Sequence, residues 1–150
     1  MKIYLDACCW NRPFDDYSQS RVHLEAEAVL SILEMVESRK VEIISSDIVD
    51  DEISQNPDRE RREKVELLLK AASSYISLTA TIEKRAEELQ KRNIPPHDAL
   101  HLASAESAQA DYFLTTDDNL LRRAARNQAA LKVKIENPAK WLIQHATDES

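Results

Sequence analysis

Short β-type runs alternate with longer helical patterns from one end of the chain to the other, and few architectures accommodate that alternation. Lys2 to Leu5 reads as a strand, and Ser20 to Arg39 as a helix, with Val22, Ala26, Val29, Leu33 and Val36 recurring at three- and four-residue steps. Val41 to Ser45 is a second strand, after which Ser46 caps a short helix reaching about Gln55. Pro57 opens a helix to Ala72. Tyr75 to Leu78 is the third strand and Thr81 to Arg92 a helix, which Asn93-Ile94-Pro95-Pro96 breaks. A helix from Pro96 to Gln109, a strand from Tyr112 to Thr115, a helix from Asn119 to Asn127 and a strand from Lys132 to Glu136 follow. Asn137-Pro138 starts a last helix carrying Trp141 and Leu142. Strands separated by helices form a parallel sheet covered on its faces. The expected fold is therefore α/β, with a central parallel sheet of four to five strands. A chain of 150 residues is expected to make one domain, residues 1–150.

Composition removes several classes. Glycine is absent, so the glycine-rich loops that cradle phosphates in P-loop and dinucleotide-binding proteins are excluded. Asn, Asp, Ser and Pro must make the turns instead. The only cysteines, Cys8 and Cys9, are neighbours, which suits a disulfide poorly and a reducing compartment well. An acid already at Asp6 leaves no room for a signal peptide's apolar stretch, and no apolar run approaches the ~20 residues of a membrane span. A soluble, cytoplasmic protein with no membrane partner is expected. A net charge of −7 argues against gripping long duplex DNA by bulk positive charge. The basic runs Arg59 to Lys64 and Arg122 to Arg126 read, each alone, as solvated helix faces.

The acids fall in a pattern. Ligands of open α/β sheets bind beyond the carboxyl ends of the strands, and the crossover helices, running antiparallel to the strands, begin at that edge too. Asp6 follows the first strand, Glu52 lies on the helix after the second, and Asp117 and Asp118 follow the fourth. Asp98 sits in the first turn of the helix opened by Pro96. Each of these has an ordinary role in turns, caps or dipole complementation. Gathered at one edge they repel one another, and a divalent cation relieves that repulsion. Carboxylates without soft ligands suit Mg²⁺ or Mn²⁺. Such a centre fits phosphodiester hydrolysis, in which metal polarises a phosphoryl oxygen and supplies hydroxide.

Four segments resemble the PIN-domain family: Ile3-Tyr4-Leu5-Asp6, Ser46-Asp47-Ile48-Val49-Asp50-Asp51-Glu52-Ile53, His97-Asp98-Ala99-Leu100-His101-Leu102-Ala103-Ser104-Ala105, and Ala110 to Leu121 with Thr115-Thr116-Asp117-Asp118. The resemblance implies a three-layer α/β/α fold and a metal-dependent ribonuclease like the VapC-type toxins. It implies Asp6, Glu52, Asp98 and Asp117 as the acids that hold Mg²⁺ or Mn²⁺, with Asp118 as an auxiliary. It also implies that Thr115 or Thr116 orients a carboxylate or bound water. RNA as substrate, a cognate antitoxin and a homodimer are its implied partners, with Ser20 to Arg39 and Pro57 to Ala72 as candidate surfaces. Where many members follow the first Asp with Thr and then Asn or Ser, this chain has Ala7 and Cys8. The segment Cys8 to Asp16 resembles a distinct branch of the family. For this chain's own loop two readings stand: Asn11 or Arg12 reaches substrate, or the loop is tied down by the packing of Trp10 and Phe14.

Two other readings compete. His97 and His101, at i and i+4, resemble a zinc hydrolase motif with Asp98 in place of the usual Glu, its third ligand to come from His23, His145 or a distant acid. His97-Asp98 also spells the dipeptide of helical metal phosphohydrolases, against which the strands argue. The second competitor is a PIN fold that binds RNA or protein without cutting.

Overall fold

The computed structural model describes residues 1–146. Five strands form one sheet, parallel throughout, in the order β3-β2-β1-β4-β5. They are β1 (Lys2–Leu5), β2 (Glu42–Ser46), β3 (Ser74–Ile76), β4 (Tyr112–Leu114) and β5 (Lys134–Glu136). Eight α-helices complete the layers: α1 (Ala7–Asn11), α2 (Ser20–Glu37), α3 (Asp47–Ser54), α4 (Arg59–Leu69), α5 (Ala80–Gln90), α6 (Pro96–Ser107), α7 (Asp118–Arg126) and α8 (Pro138–Ala146). The α/β/α reading and all five expected strands are present.

The centre of the sheet is the most apolar part. Ile3 pairs with Ile43 and Tyr112, Tyr4 with Ile44 and Phe113, and Leu5 with Leu114. A parallel strand covered on both faces has no polar side, which is why β1 reads as a continuous apolar run rather than an alternation. Tyr4, Ile3, Leu5, Phe113, Ile43 and Ile44 are all among the fully buried side chains. The edge strands β3 and β5 are short and partly exposed, with Tyr75 half exposed, so they offer little unpaired backbone to a second sheet. Helices α5 and α6 pack together, as do α2 and α8.

Several boundaries differ from expectation, each for a local reason. The α4 helix starts at Arg59 rather than at Pro57, because the Asp58 side chain accepts from the Arg61 amide and so fixes the cap. The α7 helix starts at Asp118 rather than at Asn119, capped by Asp117, whose Oδ1 accepts from the amides of Asn119 and Leu120 at 2.9 and 3.3 Å. The third strand begins one residue earlier than expected, at Ser74, where it pairs with Ile44. The segment after Asp6 is no loop. Asp6 Oδ1 accepts from the Ala7 amide at 2.8 Å and opens the five-residue α1, whose Cys9 and Trp10 are buried. No side chain cap closes α6 at its start; Pro95 and Pro96 set its direction.

Without glycine, two helices end in a conformation that usually calls for it. Arg39 (φ 61°) and Gln109 (φ 58°) are left-handed. Each closes a Schellman turn, with Lys40 N–H donating to Met35 O at 3.1 Å and Ala110 N–H to Ala105 O at 3.0 Å.

Candidate metal centre

The order of the strands places a topological switch between β1 and β4: the chain leaves β1 toward β2 and β3, then returns on the other side to form β4 and β5. At such a point the carboxyl ends of neighbouring strands open a crevice. Asp6 follows β1 and Asp117 follows β4 closely, so both acids flank the crevice. Their strands are held in step by the Asp6 amide, which donates to Leu114 O at 3.0 Å.

Asp6 is only 6% exposed and held on both oxygens. Oδ1 is bound by the Ala7 amide, and Oδ2 accepts from Thr115 Oγ1 at 2.8 Å. The same Thr115 hydroxyl accepts from the Asp117 amide at 3.1 Å, so one buried threonine positions both acids. The hydroxyl that the sequence lacks after Asp6 is thus supplied from across the sheet. Cys8 lies beside it, its Sγ 3.4 Å from Thr115 Oγ1 and accepting from the Thr116 amide. The Thr116 side chain forms no hydrogen bond among the described residues, while its carbonyl accepts from Arg21.

Asp98, half-buried in the first turn of α6, accepts no hydrogen bond among the described residues. Burial and the charges of Asp6 and Asp117 push its carboxyl up to about 6, against weaker opposing effects of His101 and His97. Three acids from β1, β4 and α6 therefore share one electrostatic neighbourhood, and one of them is uncompensated. Oxygen donors of this kind fit a hard divalent cation.

Glu52 joins from the other side, through imidazoles. His97 Nε2 hydrogen-bonds Glu52 Oε1, and His101 Nε2 lies 3.2 Å from the same oxygen and 3.6 Å from Asp6 Oδ1. Burial raises the Glu52 carboxyl, but the hydrogen bond and charge of His101, together with His97, bring it below its ordinary value. Burial likewise lowers His101, and Glu52, Asp6 and Asp98 outweigh it, so the imidazole is raised. Its other nitrogen, Nδ1, is 2.7 Å from Tyr4 OH, which is 2.6 Å from Ser46 Oγ. Nothing in the sequence assigns the tyrosine this role; only its place two residues before Asp6, on a buried strand, hints at it.

The remaining expected residues are engaged elsewhere. Asp118 is exposed and makes two hydrogen bonds of 2.7 Å to Arg21, which lowers its carboxyl. Asn11 caps back onto Ala7 O at 3.0 Å and its backbone carbonyl accepts from Arg61. Arg12 binds Asp15 and the buried Glu25, which also accepts from Arg21 and from Asn137. Arg61 closes the network on Asp15. This segment is a tether among α1, α2, α4 and the start of α8. Of the zinc motif's proposed third ligands, His23 pairs with Glu27 on an exposed face and His145 stacks on Trp141; the distant acid Glu52 is the one that meets the histidines.

The fold is that of an α/β protein with Asp6, Asp98 and Asp117 in one electrostatic neighbourhood at the switch point of a parallel sheet, and among the described residues the ligand atoms that come within 4.8 Å of one another there are those of Glu52, His97 and His101. The chain belongs to the PIN domain family, whose profile matches residues 3–127. It is similar in structure to a chain of VapBC2 from Rickettsia felis, solved bound to a DNA fragment from their promoter (TM-score 0.62, 16% identity, 91% of this chain and 98% of that one). It is also similar to a chain of FitAcB from Neisseria gonorrhoeae (0.59, 14%, 91% and 97%) and to one of VapBC-1 from nontypeable Haemophilus influenzae (0.58, 14%, 92% and 98%). No curated protein matches the chain significantly. PIN domains are typically nucleases that use divalent metal. No described helix is long and apolar enough to cross a membrane.

Proposed function

We propose that the protein is a metal-dependent ribonuclease that hydrolyses RNA phosphodiester bonds, with Asp6, Asp98 and Asp117, joined by Glu52, holding Mg²⁺ or Mn²⁺. The observation that carries this reading is Asp98: a half-buried carboxylate without a hydrogen bond among the described residues, beside two other acids. Bound metal would polarise the phosphoryl oxygen and supply the attacking hydroxide. The chain's own residues hold the donors in place. Thr115 fixes Asp6 and the Asp117 loop, and the cap on α7 uses Asp117 Oδ1, leaving Oδ2 for the centre.

A second feature supports a nucleic-acid substrate. Arg92, Arg123 and Arg126, with Asn93, Ile94, Pro95 and Asn127, line a pocket of about 500 Å³ with no acid in its wall. Arg92 and Arg126 have no side-chain partner among the described residues, which is unusual in a chain of net charge −7. Phosphate oxygens would satisfy them. The likeness to VapBC chains supports a cognate antitoxin in the cytoplasm, and exposed Leu24 on α2 and Leu67 on α4 support a homodimer. Light scattering on the pure chain tests the dimer, and a monomer at all concentrations would exclude it.

The decisive experiment treats structured and single-stranded RNA with the pure protein in EDTA, Mg²⁺ or Mn²⁺, beside an Asp6→Asn/Asp98→Asn double variant. Cleavage that requires metal and disappears in the variant is expected. Folded wild-type protein that binds RNA but never cuts it would make this a binding module instead.

A further inference from the structure

The sequence His97-Asp98-Ala99-Leu100-His101 places two imidazoles one turn apart on α6, where residues four apart share a face. Both turn Nε2 toward Glu52 on α3, and one ligand atom from each of the three residues lies within 4.8 Å of the others. Donors at ~2.1 Å from a tetrahedral Zn²⁺ stand roughly 3.4 Å from one another, and the His101–Glu52 separation of 3.2 Å is close to that spacing. We infer that Glu52, His97 and His101 form a transition-metal site of the zinc class, which shares Glu52 with the proposed Mg²⁺ or Mn²⁺ centre and differs from the carboxylates Asp6, Asp98 and Asp117 in its nitrogen donors.

Donor type separates the two sites. Imidazole nitrogen suits Zn²⁺, whereas Mg²⁺ takes oxygen and keeps much of its water. A second, independent observation lies behind His101. A ligating histidine characteristically donates its other ring N–H to a fixed acceptor, which sets the tautomer. His101 is fully buried, and its Nδ1 faces Tyr4 OH at 2.7 Å. In the metal-free chain Nε2 donates to Glu52; with Nδ1 donating to Tyr4, which passes the hydrogen bond on to Ser46 Oγ at 2.6 Å, a metal would take the place of the Nε2 proton between His101 and Glu52. Ser46 is itself fixed by the Val49 amide at 3.1 Å as the cap of α3, the helix that carries Glu52. The outer contacts thus tie the histidine ligand to the helix of the carboxylate ligand. His97 is 48% exposed, so the fourth position opens to solvent and the ion has a way in. The two sites are neighbours: His101 Nε2 is 3.6 Å from Asp6 Oδ1.

The test is metal binding by the full-length protein, read by calorimetry and by the visible absorption of Co²⁺ used as a probe. Metal-free protein in excess Mg²⁺ is titrated with Zn²⁺ alone. One equivalent is expected to bind, undisplaced by Mg²⁺, and Co²⁺ is expected to show the intense bands of a low-coordinate nitrogen-containing site. His97→Ala, at an exposed position that leaves the fold intact, is expected to weaken Zn²⁺ at least ~10-fold, as loss of even an outer partner does. Asp98→Asn is expected to keep the Zn²⁺ site. Zn²⁺ that fails to bind over Mg²⁺, or binds His97→Ala as it binds the wild type, overturns the inference. So does an affinity that falls equally in Asp98→Asn, which would make one site of the two. The readout is independent of cleavage: Zn²⁺ bound as expected by protein that cuts no RNA would remove the nuclease reading and leave this site standing.

Discussion

Asp98 carries the tension of the site at the scale of a single residue. Its carboxyl is held up at about 6 against an ordinary 3.8, by burial first and by Asp6 and Asp117 next. A raised carboxyl binds its proton more tightly in the folded state, so this group lowers stability as pH climbs from 3.8 through about 6, and the full penalty remains above that window. Asp98→Asn is therefore expected to stabilise the metal-free protein at neutral pH by on the order of 1–2 kcal/mol, discounted from the full shift for partial exposure. That gain should vanish below pH ~4, where the wild-type carboxyl is protonated in both states. Thermal melts across pH check this. Mg²⁺ should raise the wild-type melting temperature and leave the variant's unchanged, and a variant that melts lower at pH 7 would contradict the account. The positions of Asp6 and Asp117 after strands and of Asp98 in the first turn of a helix are legible in the sequence, whereas Glu52 lies in the last turn of α3. What each acid touches is not legible. Thr115 reaching Asp6 from over a hundred residues away, and Tyr4 backing His101, depend on β1 and β4 lying side by side in register.

Local rules explain the elements where a single residue decides them. Ser46, Asp58, Thr79 and Asp117 each cap a helix through a side-chain oxygen, and each is readable as a cap candidate from its residue type. The helix α1 is unreadable because five residues span too little to show a helical period, and what makes them helical is the burial of Cys9 and Trp10. The short edge strands drift for the opposite reason: β3 is Ser-Tyr-Ile, exposed on its outer side, and only pairing to β2 picks its register. The absence of glycine leaves a mark at this scale. Gln109 and Arg39 close Schellman turns at positive φ, a conformation that costs a residue with a Cβ roughly 1–2 kcal/mol. Offset by the greater freedom of glycine when unfolded, Gln109→Gly is expected to stabilise by about 1 kcal/mol, or ~3 °C in melting temperature for a chain of this size. Denaturant melts measure it; a loss of stability would mean the Gln109 side chain contributes more than its backbone costs.

Charge is distributed across the whole molecule so that a net acidic chain keeps one basic pocket. Most arginines are already paired. Arg59, Arg62 and Lys64 pair with glutamates four residues away along α4, as a solvated helix face should, and Arg12, Arg21 and Arg61 serve the buried network around Glu25 and Asp15. Arg126 ends α7, the helix whose start Asp117 caps, so it stands roughly 13 Å along the axis from Asp117. Arg126→Glu is expected to weaken single-stranded RNA binding in EDTA and to flatten its salt dependence by about 0.7 in log–log slope for each phosphate no longer neutralised. Fluorescence anisotropy over a salt series reads both, and an unchanged slope would place the RNA elsewhere. The sequence by itself determined the α/β class, a parallel sheet of four to five strands and the edge at which the acids fall, because periodicity and caps are local properties of the chain. Tertiary structure alone decided the order β3-β2-β1-β4-β5, and with it the pairing of Asp6 with Thr115, of Glu52 with His97 and His101, and of Arg92 with Arg126. Those meetings depend on which strands become neighbours, a choice made by burying apolar surface over the whole sheet, which no window of sequence contains.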